Sequence, residues 1–128
     1  MLHDIKTVKD GIFESINAKI TLGQAFDKYS HFSAKHWKSF ESKQGNKVVE
    51  FTGEIPVPEN MQQKKTITIQ FVLDKHNGFQ VGYIEAVNDN NNTVNRINMT
   101  NASRIILQLI YNNEPFTDDV ILAIILNQ

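Results

Sequence analysis

Side chains able to do chemistry are spread thinly along this chain. His31 and His36 stand five apart next to Trp37, while His3 and His76 are distant in sequence. Two such imidazoles hold a metal only with a third ligand from a spatial neighbour, and no H-E-x-x-H or comparable spacing supplies one. They read as surface or loop histidines. Ser30, Ser33, Ser39, Ser42 and Ser103 could each serve a Ser-His-Asp site, which is defined by geometry and not by order, but none lies in a G-x-S-x-G elbow. Glu50 and Glu54 share one face of a strand, as an acid–base pair would, yet that face is polar and carboxylates there are usually only solvated. Glycines at 11, 23, 45, 53, 78 and 82 form no phosphate loop. The absence of cysteine excludes disulfides, thiolate metal sites and cysteine nucleophiles. The expectation is a non-enzyme with no catalytic residue, no metal and no cofactor.

Contact residues are easier to nominate than reactive ones. Trp37, Phe40, Phe51, Phe71, Phe79 and Tyr83 could stack bases or sugars, but most fall on strand faces rich in Ile and Val and read as core. Lys64 and Lys65, with Gln62, Gln63 and the segment from Pro56 to Asn60, read as an exposed loop longer than a tight hairpin needs, and such loops often carry contacts. The N-x-[ST] triplets at Asn91, Asn98 and Asn101 read as coincidence in an Asn-rich chain. Val120 to Leu126 is apolar all around a helix, so it should wedge into the core or dock on another chain, with the first favoured. Trp37, Lys64, Lys65, Ile121 and Ile125 are the candidate interaction residues.

Periodicity supplies the elements that must position these residues. Leu22, Ala25, Phe26 and Tyr29 lie on one helical face, opened by a capping box of Thr21 with Gln24. Gly23 within that first turn points to close packing on a neighbouring backbone. From Trp37 the period becomes two. A first strand ends at Gln44-Gly45-Asn46, a second runs from Val49 to Ile55 before Pro56 and Pro58, and a third from Thr66 to Leu73. Asn77-Gly78 turns the chain into a fourth strand carrying Phe79, Val81, Tyr83 and Val87. The Asn-rich stretch from Asn88 to Asn92 reads as a surface loop that ends the sheet. Thr100 or Asn101 should cap a helix bearing Ala102, Ile105, Ile106, Leu109 and Ile110, stopped before Pro115. Thr117, Asp118 and Asp119 then mark the start of the last helix.

At 128 residues the chain is the size of one domain, and 41% hydrophobic against 21% charged residues excludes disordered and fibrous classes. With 13 basic and 14 acidic residues there is no global attraction to nucleic acid, which is not expected as a partner. The longest apolar run is 7 residues, against roughly 20 for a membrane helix, so no membrane span is expected. The first residues lack the apolar run of a secretory signal.

The string Thr21-Leu22-Gly23-Gln24-Ala25-Phe26-Asp27, then Trp37-Lys38-Ser39-Phe40 and Val48-Val49-Glu50-Phe51-Thr52-Gly53, resembles a group of small, mostly uncharacterised bacterial envelope proteins and lipoproteins. Ile69-Gln70-Phe71 and Leu109-Ile110-Tyr111 extend the resemblance over roughly Val8 to Tyr111. Members are similar in architecture to the repeat unit of beta-lactamase inhibitor protein (BLIP), a helical layer on a four-stranded antiparallel sheet. The resemblance implies a binding or scaffolding role, often outside the cytoplasm, and supplies no catalytic residues. The chain departs from that group in its apolar tail and in lacking a lipidation cysteine.

The expectation for the fold is therefore one α+β domain over 1–128, two-layered and BLIP-like, with a four-stranded antiparallel meander and helices on one face. The family-like part covers about 8–111 and an apolar C-terminal helix about 117–127. Phe51, Ile69, Phe71 and Val81 should be buried, and Glu50, Thr68 and Gln70 exposed. For function, the expectation is a non-enzymatic protein-binding or scaffolding module of the bacterial cell envelope, its protein partner unidentified, with self-association through the C-terminal segment as the alternative to burial of that segment in the core. The alternatives are a small-ligand-binding or hydrolytic domain with a pocket between helix and sheet, and a cytoplasmic inhibitor or immunity-like protein. Localisation is periplasmic or in the cell envelope if a leader has been removed, and otherwise cytoplasmic.

Overall fold

The computed structural model describes residues 2–58, 62–90 and 93–126. Alternation of apolar and polar residues yields five strands, β1 (Ala34–Glu41), β2 (Lys47–Ile55), β3 (Gln63–Leu73), β4 (Phe79–Asn90) and β5 (Val94–Asn98), joined antiparallel in chain order. Four helices accompany them among the described residues: α1 (Leu2–Lys9), α2 (Leu22–Lys28), α3 (Ser103–Tyr111) and α4 (Asp118–Leu126). The α+β class is as expected, but the sheet has five strands rather than four. The Asn-rich stretch does not end it. β4 continues through Asn90 and β5 pairs back from Glu85↔Asn98 to Asp89↔Val94, because the backbone ladder needs no apolar side chains on an edge strand. Asn91, Asn92 and the part of the β2–β3 connection at 59–61 lie outside the described residues.

Register sets the two faces. Phe51 stands opposite Trp37 and Ile69, and Val49 opposite Phe71, so the apolar set shares one side. Phe51, Ile69 and Phe71 are fully buried. Phe26 of α2 fills the centre of the layer above, its ring 4.7 Å from that of Phe51 and 5.5 Å from Trp37. Val81 is only half-buried, beside a register shift between Gln70 and Phe71. Glu50, Thr68 and Gln70 are half-buried rather than exposed. Glu50 and Gln70 cover one another on the opposite face, where Gln70 Nε2 donates to Glu50 Oε1 at 3.0 Å and Lys38 Nζ lies 3.1 Å from Glu50.

Local signals at helix ends mostly act as their chemistry requires. Both hydrogen bonds of the Thr21–Gln24 capping box form. A Cβ on Gly23 would fall 2.9 Å from the Lys9 carbonyl oxygen, so α1 packs directly on this glycine. The start of α3 differs from expectation. Thr100 turns its hydroxyl to the Ile84 backbone, residues Thr100–Ala102 form a 3₁₀ turn, and α3 begins at Ser103 with no side-chain cap. Ile105 also faces solvent, 47% exposed, and Leu107 is buried instead.

Thr117 caps α4 through Val120 N at 3.1 Å. The apolar tail does not enter the core as a whole. Ile124 is buried, Val120, Ile121 and Ile125 are half-buried, and Leu122, Ala123 and Leu126 are exposed. Among the described residues no helix is long and apolar enough to cross a membrane.

Candidate binding cleft under the C-terminal helix

Three connections meet at one end of the helix-covered face. The α2–β1 linker is fastened to the α3–α4 turn, whose Asn113 adopts φ +55°. Tyr29 OH donates to the Glu114 carbonyl at 2.7 Å, and Ser30 N and Oγ donate to Asn113 Oδ1 at 2.9 and 3.1 Å. His31 Nε2 lies 3.0 Å from the Asn113 carbonyl, which can only accept, so this nitrogen carries the proton. Behind them Phe116 stacks on Phe32 with centroids 5.9 Å apart, and burial pushes the Tyr29 hydroxyl pKa well above its ordinary value.

This fastened corner faces the end of β2 across a cleft of about 480 Å³, walled by Ile55 to Pro58 on one side and Pro115 to Asp118 on the other. A second space of about 130 Å³ lies beneath α4, lined chiefly by Ile55, Ala86, Val87, Ile97 and Ile121. The two share Ile55, Lys65 and Asp118. At that junction Lys65 Nζ meets Asp118 Oδ1 at 2.6 Å, the lysine side chain 19% exposed and the aspartate 82%. Lys65 stands opposite Asn88 across β3 and β4, and Gln63 is two residues before it on the same face. Gln63 Oε1 and Asn88 Oδ1 are both buried without a hydrogen-bond partner among the described residues.

The candidate residues are thereby divided. Lys65 and Ile121 come together in the cleft, and Ile125 lies half-buried farther along α4. Lys64 points to the other face of the sheet, 3.5 Å from Glu54. Both lysines belong to β3, not to the loop expected from sequence. Trp37 is partly buried and packs against the core cluster, with Lys9 Nζ 5.2 Å from its ring centroid. His36 lies 3.7 Å from Glu54 and His31 against Asn113, so the two imidazoles have different partners. Glu50 and Glu54 each pair with cations rather than with one another. Glu85 completes that face, accepting from Arg96 and from Tyr83 OH at 2.9 Å each, and the Tyr83 bond raises the phenol pKa. Among the described residues no group of three or more His, Asp or Glu could hold a metal ion.

Sequence reading missed Gln63, Asn88 and Asp118 as neighbours of Lys65. A signal for the first was present: extending the β3 alternation back from Ile67 places Lys65 and Gln63 on the buried face. Comparison of the chain with protein-family models, curated proteins and solved structures finds no match in any of the three.

Proposed function

We propose that this protein is a non-enzymatic binding protein that holds a small ligand between α4 and the sheet. The observation carrying this reading is the pair of adjoining spaces that share Ile55, Lys65 and Asp118. Small-molecule sites are concave, mainly apolar and provided with a few placed polar groups, typically at about 300–1,000 Å³. The cleft has that composition, and the hydrogen bonds to Asn113 hold its far wall in place without a ligand. Support for the non-enzymatic part comes from the same bonds: the Ser30 hydroxyl donates its proton to Asn113 Oδ1 and not to the His31 ring, so the two do not form a nucleophile–base pair.

A second reading, a protein-binding or scaffolding module, is favoured by the exposed stripe of Leu122, Ala123 and Leu126 on α4. The envelope location and the BLIP-like architecture belong to this proposal and rest on the residues that carry the resemblance.

The cleft reading is tested by ¹⁵N-detected titration of the full chain with a library of small apolar and zwitterionic molecules. Binders should move the amides of Ser30, Lys65, Asp118 and Ile121 together, and Ile121→Trp, which fills the inner space, should abolish the response. A library that leaves these amides unmoved overturns it.

A further inference from the structure

Resting on the reading that this cleft takes a small ligand, we propose that the ligand is an apolar α-amino acid in its zwitterionic form. The junction of the two spaces offers one cation and one anion, Lys65 Nζ and Asp118 Oδ1, already 2.6 Å apart. Exposure of Asp118 makes that pair a weak one by itself. A ligand with a carboxylate and an ammonium on the same carbon can enter between them, carboxylate to Lys65 and ammonium to Asp118. Each charge then keeps an opposite partner, and none is left buried alone. A ligand with only a carboxylate must instead compete with Asp118 for Lys65, and one with only an ammonium must compete with Lys65 for Asp118.

The neutral groups beside the pair fit the same head. Gln63 Oε1 and Asn88 Oδ1 are acceptors without donors among the described residues, on the face of the sheet that carries Lys65. An ammonium brings three donors, more than Asp118 takes up, so a turn of either amide gives it a further acceptor. An unsatisfied buried acceptor is costly, and satisfying one adds to binding. The inner space sets the side chain. Its roughly 130 Å³ is bounded by Ile55, Ala86, Ile97 and Ile121, and an apolar cavity of about 150 Å³ accommodates benzene. A branched aliphatic side chain fits there. Asp118 and Ile121 are three residues apart on α4 and so lie on one face, which lets a single helix turn supply both the charge for the head and a wall for the side chain.

The test is calorimetric and ¹⁵N-detected titration of the full chain with L-leucine, 4-methylpentanoate, 3-methylbutylamine and glycine. Leucine should bind, and each analogue should bind about tenfold or more weakly, 4-methylpentanoate and 3-methylbutylamine for want of one charged hydrogen bond and glycine for want of the buried side chain. Asp118→Asn should weaken leucine and leave 4-methylpentanoate no weaker; Lys65→Gln should weaken leucine and leave 3-methylbutylamine no weaker. The exposed Asp118 can be changed without threat to folding, so that arm stands even if the lysine variant is unstable. If either single-charge analogue, or glycine, matches leucine, the inference is overturned. If none of the four moves the Lys65 and Ile121 amides while other library members do, the ligand class is wrong and the cleft reading survives; if no compound does, both fall.

Discussion

Of the three tyrosines, Tyr29 and Tyr83 donate their hydroxyls to Glu114 O and Glu85, while the Tyr111 hydroxyl is buried without a partner among the described residues. Burial raises the Tyr111 pKa from 10.0 to about 12. A raised folded-state pKa means that the stabilising difference is complete below the unfolded value and is lost as pH rises through the folded one. Stability should therefore fall between pH 10 and about pH 12 as the unfolded chain, but not yet the folded one, gives up this proton. Tyr111→Phe removes an orphaned hydroxyl and keeps the ring, so it should stabilise the fold by about 1 kcal/mol at neutral pH. The variant should also lose less stability in that alkaline window. Urea unfolding of both proteins at pH 7 and above pH 10 checks each part, and a variant less stable than the parent would mean that the hydroxyl has a partner after all.

Gly23 shows how elements constrain one another. Alanine is normally the better helix residue by up to about 1 kcal/mol, yet here its Cβ would stand 2.9 Å from the Lys9 carbonyl oxygen, which cannot rotate away. Gly23→Ala should destabilise by about 1–3 kcal/mol, read as a lower thermal midpoint, because α1 must move off α2. The need for a small residue at this position was legible in the sequence, whereas α1 was not. Its burial is confined to Asp4 and Val8, and α1 is held by contact with α2 and the sheet rather than by a periodic apolar face of its own. β5 was hidden for a related reason, since Val94 and Ile97 are its only apolar residues and its pairing depends on β4. The capping box, the Asn77-Gly78 turn and the Thr117 cap were legible because each is decided within a few residues. Lys65 and Asp118, 53 residues apart, leave no such mark.

Across the whole molecule the two faces of the sheet have opposite roles. On the face without helices Glu50, Glu54 and Glu85 are matched by Lys38, by His36 with Lys64, and by Arg96, so it offers little unbalanced charge to a partner. The helical face leaves Leu122 and Leu126 uncovered, 54% and 74% exposed. Replacing both with Ser should shift stability by no more than about 0.5 kcal/mol each. If copies associate through α4, sedimentation of that variant should show the monomer where the parent shows a dimer. A chain ended at Asn113 should instead unfold, because it loses the buried side chains of Phe116 and Ile124, together about 5–10 kcal/mol and as much as a domain's entire stability. A truncated chain that stays folded would show that α4 is an appendage. The clasp of Tyr29 on Glu114 has one more consequence, for the order of events in folding. Every strand pairs with its chain neighbour, so the sheet can assemble through short loops, whereas this bond spans 85 residues and, like that of Arg104 to the Ser15 carbonyl across 89, closes a loop far longer than any between paired strands. The two ends of the chain are thus the last to meet, and a ligand seated at their junction would prolong the lifetime of the native state far more than it would hasten its formation.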